Sequence, residues 1–124
     1  MRALSGVAGL LLLAGCGGGG APSAPTGSPS ATITITSAGV SATQTNVTQG
    51  SRVLFVNNDT HSHNMTSDPH PEHTDCPEIN TVGLLQPGQR HETGNLVTIR
   101  TCGFHDHDDP PPGGAKWTGT ITIH

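Results

Sequence analysis

The chain contains 124 residues, a length typical of a single domain. Only 11% of the residues are charged, and the formal net charge is −4 with five Lys and Arg, which excludes a basic nucleic-acid-binding surface. Aromatic residues make up 2% of the chain, whereas Gly and Pro, which favour turns, number 17 and 10. Six of the eight histidines lie in two short segments, at 61–73 and 105–107. The composition therefore favours a turn-rich β protein with clustered histidines.

The N-terminal segment 1–15 is predicted to be a lipoprotein signal peptide. Arg2 precedes an apolar run over residues 3–13 that is too short to span a bilayer. The run leads into Leu13-Ala14-Gly15-Cys16, which resembles a bacterial lipobox, in which the cysteine thiol receives the lipid. This resemblance implies a mature protein that begins at Cys16. It would be anchored through lipid to a bacterial membrane of the cell envelope, facing the periplasm or the exterior.

Residues 16–31 are predicted to comprise the lipidated cysteine and a flexible linker. Residues 17–31 contain only Gly, Ala, Pro, Ser and Thr. A segment of this composition cannot bury enough apolar surface to offset the entropy cost of ordering it. The folded domain is therefore predicted to span residues 32–124, which is long enough for one modest hydrophobic core.

Short alternating runs of apolar and polar residues predict a protein made of β-strands. The clearest run is 32–36 (TITIT), in which both isoleucines face the same side of a strand. The other predicted strands cover 43–48, 52–57, the region near 63–66, 90–93, 96–101 and 117–123. Turn residues separate these runs, and no stretch shows sustained helical periodicity. Six to eight short strands of this kind predict an all-β, antiparallel Greek-key β-sandwich.

Residues 101–107 (TCGFHDH) are the strongest candidate for a metal site. The segment places the Cys102 thiol three residues before the His105 imidazole, and His107 follows two residues later. A turn at the end of the 96–101 strand would aim the thiol and the first imidazole at one ion. A thiolate combined with imidazoles suits copper. A distant strand would then supply the next ligand.

The order of motifs across residues 32–124 resembles the cupredoxin family, the plastocyanin-like copper proteins. The matching segments are 53–58 (VLFVNN) followed by His63-Asn64, the Pro-Gly turn in 85–89 (LQPGQ), 102–105 (CGFH) and 117–123 (WTGTITI). Trp117 stands where this family normally has an axial Met.

The resemblance implies a cupredoxin-like sandwich with one copper ion held by His63, Cys102 and His105. It implies single-electron transfer with a redox partner protein, with the exposed edge of His105 as the electron port, rather than enzymatic activity. The side chain of Asn64 is expected to brace the loop that carries Cys102.

Cys76 could instead form a disulfide with Cys102, whose sulfur would then not be a thiolate ligand. Once Cys16 is lipidated, Cys76 and Cys102 are the two remaining thiols, and such a pair in a small exported domain favours a disulfide. The disulfide would leave a histidine-only site for Cu(II) or, less favoured, for zinc. The candidate ligands of that site are His61, His63, His105 and His107.

Three functions therefore stay open at this point. The first is electron transfer at a mononuclear copper site. The second is binding or sequestration of copper or zinc, with a Cys76–Cys102 disulfide and no redox turnover. The third is a metal-free β-sandwich that acts as an interaction module.

The other histidines and the aspartates near the motifs are predicted to lie on the surface. They are His70, His73, His91, His124, Asp106, Asp108 and Asp109. The aspartates could also orient imidazoles by accepting hydrogen bonds. Residues 103–107 further resemble the His-x-His strand of copper–zinc superoxide dismutases, although the rest of that ligand order is not found.

Overall fold

The computed structural model describes residues 27–124. The predicted signal peptide, the lipidation site Cys16 and most of the predicted linker lie outside the described residues. Within 27–124, no helix has the length and apolar character needed to cross a membrane.

The described part of the chain consists of nine strands and two short 3₁₀ helices. The strands are β1 Ala31–Thr36, β2 Gly39–Val40, β3 Gln44–Val47, β4 Val53–Asn57, β5 His63–Ser67, β6 Gly83–Leu85, β7 Arg90–Glu92, β8 Arg100–Asp106 and β9 Gly119–Ile123. The 3₁₀ helices are Pro77–Thr81 and Ala115–Trp117.

The strands form two sheets, with the orders β2-β1-β4-β7 and β3-β9-β8-β5-β6. The predicted all-β sandwich is therefore confirmed. Both sheets are mixed rather than purely antiparallel, because β1 pairs with β4, and β3 with β9, in parallel. These partners are not consecutive in the chain, so no tight hairpin forces them to run in opposite directions.

The hydrophobic core lies between the two sheets. Ile33 and Ile35 of β1 are fully buried, as the alternation of 32–36 predicts. Phe55 of β4 meets Phe104 of β8 across the core, with ring centroids 5.2 Å apart and ring planes at 88°. This edge-to-face arrangement is a favoured geometry for aromatic pairs, and it connects one sheet to the other.

Two predicted strand boundaries are wrong, and two strands were not predicted. The run 96–101 does not form a strand as predicted, because β8 begins only at Arg100 and continues to Asp106. Leu96 is instead buried beside Ser51, to which it is joined by an isolated bridge. Trp117 ends a 3₁₀ helix rather than opening β9, and its indole N–H donates to the Thr36 carbonyl at 2.9 Å. The short strands β2 and β6 were not predicted.

A disulfide joins Cys76 to Cys102, as one of the two alternatives for these cysteines predicted. Their Cα atoms are 5.8 Å apart, and both residues are fully buried. Cys102 belongs to β8, whereas Cys76 precedes the first 3₁₀ helix and donates its backbone N–H to the Ser67 hydroxyl at 2.7 Å. The disulfide therefore fixes the segment that follows β5 to the middle of β8.

We expect loss of this disulfide to destabilise the fold strongly. A crosslink between residues 26 apart in sequence restricts the unfolded chain by roughly 3.5 kcal/mol in the chain-entropy model. A double variant with Cys76→Ala and Cys102→Ala should lose about that much free energy of unfolding in urea titrations. Wild-type protein with its disulfide reduced by a dithiol is the control, and its free energy of unfolding should fall by a similar amount. Equal stability of the oxidised wild type and the double variant would contradict the disulfide.

Candidate metal centre

The two faces of β8 carry different chemistry. Cys102 and Phe104, which are two residues apart, belong to the buried core. His105 is an odd number of residues from both of them, and it pairs with Thr66 of β5. Successive side chains of a strand point to opposite faces. Because β8 continues to Asp106 without a turn, Cys102 and His105, three residues apart, lie on opposite faces of the sheet.

The structure does not bring the predicted ligands His63, Cys102 and His105 together. The sulfur of Cys102 is bonded to Cys76. The imidazole of His63 contacts Asp59 and Asp106, whereas that of His105 contacts Asp68. The prediction assumed a turn directly after Cys102, and the continuing strand removes that turn.

Four imidazoles instead converge on the outer face of the five-stranded sheet. They are His70, His73, His105 and His107, whose candidate ligand nitrogens all lie within 4.8 Å of one another. Two belong to the segment between β5 and the first 3₁₀ helix, one belongs to the end of β8, and His107 directly follows that strand. The set shares His105 and His107 with the predicted histidine-only site. It replaces the predicted His61 and His63 with two residues that were predicted to lie on the surface.

The segment 68–76 is held over β8 by main-chain hydrogen bonds. The backbone N–H of Asp68 donates to the Gly103 carbonyl at 2.9 Å, and the N–H of Asp75 donates back to the Asp68 carbonyl at 2.8 Å. Asn80 adds a bond from its side-chain amide to the His73 carbonyl at 2.9 Å. Together with the disulfide, these contacts place His70 and His73 above His105.

The imidazoles of His73 and His105 are oriented by acceptors behind them. His73 Nδ1 donates to the Ser67 carbonyl at 2.8 Å, and His105 Nδ1 lies 2.6 Å from Asp68 Oδ1. Because these oxygens accept hydrogen bonds, both imidazoles carry the proton on Nδ1 and present the Nε2 lone pair to the cluster. The Nε2 lone pair of His105 has no partner within residues 27–124, whereas that of His73 faces His107 Nδ1 at 2.8 Å. A carboxylate or carbonyl behind a histidine is the usual support for a metal ligand, since it fixes the tautomer and the ring orientation.

The environment of His105 Nε2 points most directly to a bound metal ion. This nitrogen is buried and has no hydrogen-bond partner within residues 27–124. An unsatisfied buried polar atom costs free energy, and a metal ion at the centre of the four imidazoles would satisfy it. The four donors therefore fit a metal that accepts imidazole ligands.

Gly103 makes the approach of Asp68 to His105 possible. A Cβ atom at position 103 would lie 1.9 Å from Asp68 Oδ2 and 2.7 Å from Asp68 Cγ. Any larger residue would therefore displace the Asp68 side chain. The glycine of the 102–105 motif leaves room for the carboxylate that orients His105.

The other two imidazoles complete the cluster from its solvent side. His107 Nδ1 lies 2.8 Å from His73 Nε2, and the His107 backbone N–H donates to the Asn64 carbonyl at 2.7 Å. The ring of His70 is exposed and lies 5.1–5.5 Å from the other three ring centroids. Loss of hydration, followed by the charge of the neighbouring imidazoles, lowers the pKa of His70. The lowered pKa favours the neutral imidazole, which is the form that binds a metal.

The surroundings of the cluster are strongly acidic. Six of the nine acidic residues lie in residues 68–76 and 105–109, which carry the four histidines and contain no Lys or Arg. The six are Asp68, Glu72, Asp75, Asp106, Asp108 and Asp109. A field of one sign attracts counter-ions and raises their local concentration, so this end of the protein attracts cations.

His63 belongs to a separate buried network on the core side of the sheet. Its Nδ1 lies 2.7 Å from Asp106 Oδ2 and its Nε2 lies 3.0 Å from Asp59 Oδ2. The bond from His63 holds the pKa of Asp59 below its usual value. A carboxylate therefore faces each imidazole nitrogen, so neither nitrogen is open to a metal. The Trp117 ring packs against this imidazole, with centroids 4.7 Å apart.

Asp106 was predicted to be solvated, but it is 2% exposed. Besides its bond with His63, it accepts the backbone N–H groups of Asn64 at 3.0 Å and Asp108 at 3.1 Å. Asn64 thus braces the end of β8 through main-chain contacts, and not through the side chain as expected. His61 is exposed and lies outside the cluster.

The spacing of the cysteines contains the signal that could have revealed His73. His73 lies three residues before Cys76, and His105 lies three residues after Cys102. A Cys76–Cys102 disulfide therefore brings two histidines at equal separations from the bond into the same region. The Pro-rich, acidic composition of 68–75 predicts a solvated loop instead, which is why His73 was expected on the surface.

Comparison with solved structures identifies the fold. The purple cupredoxin from Nitrosopumilus maritimus is similar with a TM-score of 0.56 and 17% identity, covering 76% of this chain and 99% of that protein. Plastocyanin from Dryopteris crassirhizoma gives 0.56 and 18%, covering 75% and 99%. An amicyanin variant in the Cu(I) state gives 0.58 and 13%, covering 76% and 82%. No protein-family model and no curated protein matches the sequence. The chain therefore has a cupredoxin-like β-sandwich fold.

Asp68→Ala should weaken metal binding without unfolding the protein. The substitution removes the acceptor that orients His105, and loss of such a supporting group typically lowers metal affinity about 10–100-fold. Calorimetric titration of the metal-free protein with Cu(II) measures the change. Gly103→Ala should act in the same direction, because its Cβ displaces the same carboxylate.

Asp75→Ala is the matched control. Asp75 is an exposed acidic residue of the same segment, and the described structure gives its carboxylate no hydrogen bond. The control removes one negative charge but leaves His105 oriented. Equal losses of affinity in Asp68→Ala and Asp75→Ala would show that Asp68 contributes only its charge.

Proposed function

We propose that this protein binds copper at the four-histidine site formed by His70, His73, His105 and His107. The observation that carries the proposal is the convergence of four imidazole donors, one of which is a buried nitrogen without a partner. Imidazole nitrogen suits copper and zinc, and at a given site copper binds more tightly than zinc. Copper is therefore the proposed metal, and zinc is the weaker competitor.

The proposal places the protein in the cell envelope. In this account residues 1–15 are removed, Cys16 carries the lipid anchor and residues 16–31 tether the folded domain to the membrane. The Cys76–Cys102 disulfide supports an oxidising compartment, because such bonds are rare in the reducing cytosol. The partner protein, if one accepts the metal or its electron, would meet an acidic surface.

The groups around the proposed site have different roles in it. Asp68 and the Ser67 carbonyl hold His105 and His73 in the tautomer that binds metal. The disulfide and Asn80 hold the segment 68–76 in place, and the surrounding carboxylates attract the cation. When bound, copper supplies one-electron redox chemistry.

Single-electron transfer is the second candidate function. It is favoured by the fold, which this chain shares with a plastocyanin described in its oxidised form and an amicyanin variant described in its Cu(I) state. In the present arrangement the redox copper would be held by imidazoles alone. The predicted electron port at His105 would then move to His70, because His105 is 1% exposed.

The binding proposal is tested by titrating metal-free protein with Cu(II) and with Zn(II). We expect one equivalent of Cu(II) to bind, and to bind more tightly than Zn(II). His105→Ala should weaken binding by more than the roughly 100-fold upper limit expected for a supporting group. His91→Ala is the control, since its imidazole donates to the Val82 carbonyl outside the cluster.

Two results would overturn the proposal. Unchanged copper affinity in His105→Ala would exclude the four-histidine site. Loss of copper affinity in His63→Gln, with the affinity of His105→Ala unchanged, would show that the metal binds on the opposite face of the sheet. If neither metal binds at micromolar concentration, the metal-free interaction module is the function that stays open.

The electron-transfer candidate needs its own measurement. Voltammetry of the copper-loaded protein should show a reversible one-electron wave that is absent from His105→Ala. Copper that is released on reduction, or a wave that does not reverse, would exclude electron transfer and leave copper binding as the function.

A further inference from the structure

We propose that His70 is an exchangeable ligand, and that its position on the metal is open to a small neutral donor molecule from solution. The inference rests on the proposed function, because it assigns unequal roles to the four histidines of that site. His73, His105 and His107 would form the permanent part of the site, and His70 would alternate with the incoming donor.

The first argument is the difference in support among the four imidazoles. His105 is held by Asp68 and His73 by the Ser67 carbonyl. His107 contacts His73 and is anchored by its backbone N–H to the Asn64 carbonyl. The ring of His70 has no hydrogen bond to any group within residues 27–124. Its orientation is therefore set by ring contacts alone.

The second argument is the gradient of burial across the site. His105 is 1% exposed and forms the floor, His73 is half-buried, and His70 and His107 lie on the solvent side. Solvent therefore reaches the centre of the cluster from the side of His70 and His107, and of these two only the His107 ring has a hydrogen bond within residues 27–124. A donor that enters from solvent meets the least supported ligand first.

The third argument is chemical. Three fixed protein ligands and one replaceable position characterise metal sites that bind exogenous molecules, whereas closed sites hold all four ligands firmly. Glu72 lies close enough to His70 for its negative charge to act on the pKa of that imidazole, and the Asp68 carboxylate contacts His105. This charge disfavours anions on approach, so the incoming donor should be neutral, with a nitrogen or oxygen lone pair. Imidazole itself is the natural probe, since it reproduces the donor atom of His70.

The experiment compares Cu(II)-loaded wild-type protein with loaded His70→Ala by electron paramagnetic resonance during titration with imidazole. His70→Ala should retain one equivalent of copper after gel filtration, with an affinity less than about 100-fold below that of the wild type, as for a supporting group. Imidazole should restore the wild-type spectrum in this variant. Because the spectrum of the rescued variant and that of the wild type would coincide, the wild-type titration uses isotopically labelled imidazole. Displacement of His70 should then add the hyperfine coupling of the labelled nitrogen, as in His70→Ala rescued with the same labelled imidazole.

His73→Ala is the matched control, because it removes a supported ligand from the same segment. We expect it to lose copper on gel filtration, and imidazole should not restore the wild-type spectrum. Equal copper loss in His70→Ala and His73→Ala would overturn the inference. Absence of coupling to the labelled nitrogen in the wild type, while rescued His70→Ala shows that coupling, would show that His70 is a permanent ligand and would also overturn the inference.

The wild-type titration keeps the test valid even if His70→Ala fails to fold. Failure of the proposed function is distinguishable, since it appears as absence of copper binding by the wild type before any imidazole is added. If the inference fails, the wild type still binds copper, but imidazole does not replace His70.

Discussion

The Cys76–Cys102 disulfide connects the segment that carries His70 and His73 to strand β8, which carries His105 and ends directly before His107. The bond is buried in the core beneath the sheet, whereas the four imidazoles lie on the opposite face. It therefore contributes no ligand, yet it fixes the distance between the two halves of the site. The sulfur that would have been a ligand in the thiolate arrangement instead becomes the support of an all-imidazole arrangement.

Strand β8 separates two groups of polar residues that share a short stretch of sequence. On the core side, Asp106 joins His63 to the end of the strand. On the outer side, His105 points into the four-histidine site. The carboxylates that bind both nitrogens of His63 make it a structural residue, whereas the single carboxylate behind His105 leaves one nitrogen free. The number of acceptors around each imidazole thus separates the structural histidine from the candidate ligand.

The sequence predicts the sandwich well because the core strands follow a simple period. The alternation in 32–36 and the apolar run in 52–57 correspond to β1 and β4, and their buried residues form the core. The end of β8 escaped prediction because Gly103, His105 and Asp106 have the composition of a loop. A turn placed directly after Cys102 would put its sulfur and the His105 imidazole on the same side of the sheet. The sequence therefore predicted both as ligands of one ion.

The four-histidine site was difficult to predict because its assembly depends on contacts between distant residues. Nothing in the local composition of 68–75 distinguishes His70 and His73 from solvated histidines. Their position depends on the disulfide, on the Asn80 amide and on the space above Gly103. Likewise, the resemblance of motifs predicted the fold correctly, but it could not show which way each donor points, because that depends on strand length.

X-ray absorption spectroscopy of the copper-loaded protein tests the central claim most directly, because it reports the atoms bound to the metal. The account predicts a coordination shell of nitrogen or oxygen atoms at about 2.0 Å with the scattering pattern of imidazole rings, and no sulfur. A sulfur atom at about 2.3 Å from the metal would show that Cys102 is a ligand and would contradict the account.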